Sequence, residues 1–511
     1  MMEYYFENKY FWRDLILDKK VDSGLWNRFL VYKYPGIEKS IVTDGETKKL
    51  WSEISQMSQG QIEELKEIEK RHGKPIKLFI NQIIRPSMDF SKFMFNSEVS
   101  FARRVLIGAD FQKTIFNGVA DFRETFFLEE ANFMEVNFLG EVPIGREVDA
   151  VVSFQKSSFN NGANFNDVQF PNLISFDEAK FNSYAHFQKA IFGQGKGDGF
   201  INFNKAKFKK GANFKNAVFT PLANFKKSQF NSNAHFSGVQ FNSFAFFQDT
   251  EFNQSVNFDD TEFNHKTYFS NTKFDSFSIF NNAKFQNTIS FNGASFSRSP
   301  KFFNTDLHED MDFFGINWSG AEQFYSRKHR QKDDTATIIE DANVAIRSWD
   351  RLALIMSKQE KPAERHVFFR LKMRAQRQRD GITFLTILNL FFEELSDYGW
   401  GVGGAFLLWG LHIFLGAIIL GSVVYFQSNG GISIALLKMF GYSLLVSFSN
   451  SVSFLGLGSE GGYLYGPSIA VNDAIEKMKW VFPTVGTVQA VLGPILLFLV
   501  LLALRNRFRL K

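Results

Sequence analysis

The side chains with the widest chemical reach in this sequence are eight histidines: His72, His186, His235, His265, His308, His329, His366 and His412. A metal site on a helix needs two of them three or four positions apart, and no pair has that spacing. Cys is absent, which removes thiolate ligands, cysteine nucleophiles, disulfides and thiol redox chemistry together. No Gly-x-Ser-x-Gly, paired-Glu or Walker pattern occurs in a suitable setting. The run Gly193-Gln-Gly-Lys-Gly-Asp-Gly199 has the composition of a phosphate cradle, yet it lacks the Lys-Ser/Thr ending and a following helix to receive the anion. It reads as a bulged corner. The expectation is a protein that is not an enzyme, with no catalytic residue, no cofactor and no metal site.

What the sequence does repeat is one apolar ring. Phe accounts for 64 of 511 residues, against 8 Trp and 13 Tyr. From about Phe90 to Trp318 it keeps a beat, cleanest at Phe208, Phe214, Phe219, Phe225, Phe230, Phe236, Phe241, Phe247, Phe252 and Phe258 and continuing to Phe296. The steps alternate six and five. Two positions before each Phe stands a small or β-branched residue such as Ala212, Ala223, Val239 or Thr250, usually with a polar residue between, as in Ala212-Asn213-Phe214.

Neither a helix nor a long alternating strand fits such a beat. A chain that turns after each short extended piece does. Four faces of five or six residues close a coil of 22, and stacking coils at about 4.8 Å sets Phe above Phe in internal ladders. The repeat then makes about ten coils, a rod about 50 Å long. The Phe residues named above form its core, and His186 and His235 fall at the outward Asn position as surface decoration. The beat breaks twice, at Leu139 to Arg146 and at the Gly193 run, where the Phe expected near Asp198 is missing.

These residues resemble the pentapeptide-repeat proteins, whose unit is a small residue, Asn or Asp, a central Leu or Phe and two variable residues. The resemblance implies a right-handed quadrilateral parallel β-helix; the beat by itself argues only for coils. It implies little about activity, because such folds are surfaces on which sites are placed.

The flanks differ in character. Residues 1–87 lack the beat and hold a helical pattern at Gln59 to Arg71, so a mainly helical cap over the open end of the 88–318 β-helix is expected. A cleavable signal peptide is not, since Met1 to Arg13 is aromatic and charged. Residues 319–399 read as a basic helical linker with helices at Asp333 to Lys358 and Pro362 to Arg379. It carries Arg327, Lys328, Arg330, Lys332, Arg365, Arg370, Lys372, Arg374, Arg377 and Arg379, and a solvated face and a lipid-headgroup contact both stay open.

Residues 400–511 read as a transmembrane hairpin. Trp400 to Leu437 has no Asp, Glu, Lys or Arg, and Ala405 to Phe426 is long enough to span a bilayer. A second apolar stretch runs from about Val481 to Leu504, with Gln489 and Pro494 inside it, and stops at Arg505, Arg507, Arg509 and Lys511. Basic residues flank both outer ends of the pair, which puts the N-terminus, β-helix and C-terminus in the cytoplasm and the protein in the inner membrane as a multi-pass chain. Tyr398 and Trp400, with Arg505, Arg507 and Arg509, are the expected membrane-interface residues. The intramembrane His412 is expected to contact Gln489 rather than to carry protons.

Between the spans, Ile432 to Leu457 is apolar but broken by Lys438, Asn450 and several Ser, and a Gly-rich stretch follows. It reads as a candidate re-entrant segment with a candidate pore loop at Asn450, Gly456, Gly458, Gly462 and Tyr463. The order of span, re-entrant helix, Gly-rich loop and span resembles a two-span potassium channel, but no Thr-x-Gly-Tyr-Gly filter is present. The tail also resembles bacterial membrane proteins that join pentapeptide repeats to such a hairpin through a Ser-Asp-Tyr-Gly linker, here Ser396, Asp397, Tyr398 and Gly399.

The net charge of +5 is small for the length, and the repeat region balances 22 Lys+Arg against 24 Asp+Glu, about −2. Neither nucleic-acid binding nor mimicry of DNA phosphates fits that balance. The expected partners are the lipid bilayer and a protein bound on the β-helix surface, with homo-oligomerisation open. The reading preferred from sequence is a membrane-anchored scaffold presenting a rigid cytoplasmic β-helix. The alternative is an oligomeric two-span ion-channel-like pore with the β-helix as its regulatory domain.

Overall fold

The computed structural model describes residues 7–8, 11–33, 57–72, 74–75, 77–80, 83–86, 88–140, 150–194, 199–308, 310–318, 320–321, 335–427, 435–452 and 480–508. The chain forms two compact units, Met1–Gln359 and Glu360–Lys511. The helix Thr335–Lys358 therefore belongs to the first unit and the helix Pro362–Asp380 to the second, so the basic stretch at 319–399 is shared between them.

The first unit is a quadrilateral parallel β-helix. Strands of mostly two residues stack into four parallel nine-stranded sheets, each strand pairing with the one four strands later. Register runs at the expected 22 residues, as in Gln229↔Glu251 and Phe230↔Phe252. A tenth coil continues through the single bridges Ile279↔Lys301, Lys284↔Asp306, Ser290↔Asp312 and Ser295↔Asn317. The faces are numbered here from their first strands: face 1 from Met88–Asp89, face 2 from Met94–Phe95, face 3 from Val99–Ser100 and face 4 from Val105–Leu106.

Each position of the repeat has a physical task. The central rings face inward: all ten Phe from Phe208 to Phe258 named above are at most 1% exposed. Rings of successive coils stack nearly parallel, Phe208 on Phe230 at 4.7 Å and Phe230 on Phe252 at 5.0 Å. Rings of adjacent faces meet edge to face, as Phe230 does with Phe236 at 77°. Both are favoured aromatic geometries, and each buried ring contributes roughly 1.5–3 kcal/mol. The Asn before many Phe closes the next corner: the Asn213 side chain accepts from the Lys215 N–H, and the Asn224 side chain from the Lys226 N–H.

The five-residue corners are tight turns in which the Ala217 N–H donates to the Phe214 carbonyl and Asn216 takes φ +58°. That is the left-handed position of a type II turn. The small inward residues are Ala where a methyl fills the space and Ser or Thr where a hydroxyl reaches a carbonyl of the preceding coil. Thr250 donates to Phe225 at 2.7 Å and Thr261 to Phe236 at 2.8 Å.

Both breaks in the beat are insertions at one corner, between faces 2 and 3. Across the first, Phe122 stacks on Phe154 at 4.7 Å; across the second, Phe176 stacks on Phe203 at 4.7 Å. No core ring is missing near Asp198, contrary to the sequence expectation, because the Gly run adds residues to the corner and Phe203 takes the inward place. Residues 141–149 and 195–198 lie outside the described residues. Gly193 has φ +103°, and a Cβ on it would meet Pro221 Cδ at 2.3 Å, so this position admits only glycine without rearrangement.

Helices close both ends. At the start, α1 (Phe11–Leu17), α2 (Ser23–Lys33) and α3 (Gln59–His72) bury Phe11, Trp12, Trp26, Phe29, Leu65 and Ile68. They bond into the first coils through Trp26 Nε1 to the Val105 carbonyl at 2.9 Å and Asn27 Nδ2 to the Arg103 carbonyl at 3.0 Å. At the far end, α4 (Thr335–Lys358) sets Trp349 edge-on against Trp318 and sends Arg351 to the Thr305 carbonyl. The open edges of the sheets are thus covered.

The second unit holds α5 (Pro362–Asp380), α6 (Phe384–Ser396), α7 (Val402–Gln427), α8 (Ala435–Ser451) and α9 (Val481–Phe508). Two stretches are long and apolar enough to cross a membrane: Val402–Ser422 in α7, of mean hydropathy 2.0, and Thr484–Arg505 in α9, of mean hydropathy 2.4. The central segment is a 17-residue helix packed against both of them.

Candidate functional site

Three arrangements stand out from the bare scaffold. The first is a groove of about 760 Å³ on face 3 of the β-helix. Glu98, Ser100, Asp121, Arg123, Gln155 and Asp177 line it, with Phe200 and Asn202 at one end. Arg123 pairs with Asp121 at 2.7 Å, and Gln155 donates to Asp177 at 3.1 Å. The groove is polar with an acidic excess. Both insertions leave the β-helix at the corner where this face begins.

The second arrangement lies between α5 and α6. Glu393 of α6 is buried; Arg374 Nε donates to it at 2.6 Å, and Arg377 makes a further short contact with it. Arg377 also reaches Asn389 and the Tyr398 hydroxyl. Asp397 takes His366 at 3.2 Å and Arg370 at 3.6 Å, and the His366 ring stacks on Trp400 at 4.9 Å. The hydrogen bond from His366 holds the Asp397 carboxyl below the usual carboxylate range, against the opposing effect of burial. Burial pushes the Tyr398 phenol well above its ordinary range.

This knot explains the Ser-Asp-Tyr-Gly motif. The Ser396 hydroxyl donates to the Phe392 carbonyl and accepts from the Gly399 N–H, while Asp397, Tyr398 and Gly399 have φ +46°, +54° and +78°. Three successive left-handed residues turn the chain from α6 into α7. Tyr398, expected as an interfacial anchor, is buried within the unit, where its hydroxyl meets Arg377 and Asn389. Trp400 is half-buried against His366. Arg370, Arg374 and Arg377, expected on a solvated or headgroup-facing surface, are engaged by acids of the same unit.

The third arrangement is a polar seam among the apolar helices. Gln489 of α9 is buried, bonds Ser447 of α8, and accepts from Asn450 Nδ2 at 3.3 Å. Ser447 donates to the Ile413 carbonyl of α7. Gly416 makes room: a Cβ there would meet Gln489 Nε2 at 1.7 Å and Ser447 Oγ at 2.6 Å. Gly493 likewise lets α9 approach the Ser451 backbone. Small residues and side-chain hydrogen bonds are the usual cement between helices in an apolar solvent. The Gln489 side chain is thereby committed to Ser447 and Asn450, while His412 meets Gln489 at its backbone, a contact between α7 and α9 of the kind the sequence suggested.

Of the candidate pore-loop residues, Asn450 is in this seam; Gly456, Gly458, Gly462 and Tyr463 lie outside the described residues. Arg505 is exposed near the end of α9 and Arg507 is within that helix, while Arg509 lies outside the described residues. Among the described residues no group of three or more metal-ligating side chains comes together. The sequence reading missed α6 altogether, although an apolar run from Ile382 to Phe392 was its signal.

The family model for pentapeptide repeats matches nine copies over residues 203–251. Comparison with curated proteins and with solved structures returned no match. The matched residues lie within the stack, and their inward rings continue the same ladders in the coils before and after them, so the β-helix is built of pentapeptide repeats.

Proposed function

We propose that the protein is a membrane-anchored scaffold: α7 and α9 hold it in the inner membrane, and the cytoplasmic β-helix offers face 3 to a protein partner. The observation that carries this reading is the groove on face 3, in a chain that also holds two span-length apolar helices. A rod whose rings are locked in ladders presents such a surface at little entropic cost. The acidic excess of Glu98, Asp121 and Asp177 suits a partner segment bearing Lys or Arg. The seam of Ser447, Asn450 and Gln489 is spent on joining three helices of one chain, which favours an anchor over a pore.

The test places a photo-crosslinker at Gln155 in the groove or at His235 on face 1 of the full-length protein in native membranes. One recurrent adduct from Gln155 and none from His235 is expected. Equal labelling from both positions overturns the use of face 3. Single-channel currents from the purified protein in planar bilayers, lost on substituting Asn450, overturn the anchor in favour of the pore.

A further inference from the structure

The helix α6 is inside out for a water-soluble protein. Its buried residues are Glu393 and Ser396, whereas Phe384 and Leu385 are 75% and 73% exposed, and Ile387, Leu388 and Phe391 are exposed as well. Its polar side is taken by α5 through Arg374 and Arg377. Its start is fixed by a capping box in which Thr383 and Thr386 bond reciprocally. Thirteen residues are too few to cross a bilayer.

The position of α6 along the apolar helices is also defined. Phe392 packs on the cluster of Ala405, Leu499 and Val500, together with Leu504, one residue before the charged Arg505. A Cβ on Gly404 would meet the Leu395 carbonyl at 2.9 Å, so the first turn of α7 sits directly on the end of α6. The helix therefore lies where both span-length stretches meet their polar ends. The apolar side that α7 itself exposes starts at Phe406 and Leu407, two and three residues after Gly404.

We infer that α6 is an interfacial helix, embedded by its Phe384, Leu385, Leu388 and Phe391 face among lipid headgroups and upper acyl chains, with α5 covering it from the water. This rests on the membrane anchorage proposed above and adds a second lipid-binding surface to it. Amphipathic helices of this kind bury their apolar face roughly 5–10 Å into the headgroup boundary.

The absence of Cys makes the test direct. Single cysteines at Leu385, Leu388 and Phe391 carry a spin label in full-length protein reconstituted into phosphatidylethanolamine and phosphatidylglycerol vesicles. Phe414→Cys in α7 and Gln254→Cys on the β-helix serve as references. Collision with oxygen against a water-soluble nickel chelate should place the three α6 labels at a shallow depth, between the deep Phe414 label and the aqueous Gln254 label. If the α6 labels match the Gln254 label while the Phe414 label is deep, the interfacial helix is wrong and the anchorage stands. If the Phe414 label is also aqueous, both fall. Labels at Leu388 and Phe391 shielded from oxygen and nickel alike, with disulfide crosslinks between copies of the unlabelled variants, assign the face to a second chain and overturn the inference.

Discussion

Arg374 Nε donates to Glu393 Oε1 at 2.6 Å, joining a helix rich in arginine to one that exposes Phe384, Leu385, Leu388 and Phe391. The acid is buried and also holds Arg377. Replacing Glu393 with Ala leaves two cations facing each other without a counter-charge, a change that costs about 3 kcal/mol where a buried pair loses one member. Tryptic cleavage at Arg374 and Arg377 in detergent-solubilised protein should accelerate in the variant. Unchanged cleavage would mean that the contact does not hold α5 against α6.

Asp397 makes the same junction sensitive to acid. Its carboxyl is held below the usual range, chiefly by the His366 hydrogen bond. The stabilisation is therefore fully present above the unfolded-state pKa of about 3.9 and is lost as pH falls through the lower folded-state value. Asp397→Asn keeps a residue that tolerates φ +46° but removes the charge. Wild type should melt higher than the variant at pH 6, and the gap should close toward pH 3. A gap independent of pH would remove the ion pair from the account.

In the β-helix, Phe230→Ala should cost about 3–5 kcal/mol, the range for emptying a packed aromatic site. Lys226→Ala at a corner loses only a cation 4.5 Å from the Phe246 ring, worth about 0.5 kcal/mol at an exposed site. Chemical denaturation of the two variants side by side measures the difference, and similar midpoints would contradict the ladder as the source of stability.

The β-helix was legible because one buried requirement recurs at every corner, so Phe208 to Phe258 declare it without tertiary information. The junction was not legible for the opposite reason. Tyr398 beside an apolar stretch looks like an interfacial aromatic, and only folding reveals that Arg377 and Asn389 reach its hydroxyl. Length decided against α6, since an apolar run from Ile382 to Phe392 is too short to span, and its partners Arg374 and Arg377 lie on a separate helix. The insertion at Gly193 resembled a lost ring because a beat counted along the chain cannot distinguish added residues from a missing Phe.

Packing of the apolar helices turns on one glycine. Gly416→Leu has no room, with Gln489 and Ser447 both inside contact distance, and should separate α7 from α8 and α9. Gly410→Ala meets nothing within 4 Å and should be neutral to slightly stabilising. Thermal aggregation in detergent compares the two. A Gly416→Leu protein as stable as wild type would show that the Ser447–Gln489 seam is dispensable.

The left-handed corners differ along the β-helix. Toward its start the position is held by Lys92, Arg103, Lys113, Glu124 and Glu135, and toward its end by Asn271, Asn282, Gly293 and Asn304, all with φ between +51° and +67°. A long side chain in this conformation is strained by roughly 1–2 kcal/mol, while Asn and Gly adopt it readily. Lys227 has φ +57°, so Lys227→Asn should stabilise by about 0.5–1 kcal/mol. Lys205 has φ +54° but also pairs with Glu178 at 3.1 Å, an exposed contact that the substitution gives up, so Lys205→Asn should gain less. Raising the salt concentration weakens that ion pair and should bring the two gains together. Denaturant titrations at low and high salt read both variants, and a loss of stability in Lys227→Asn would show that the corner conformation carries no strain to relieve.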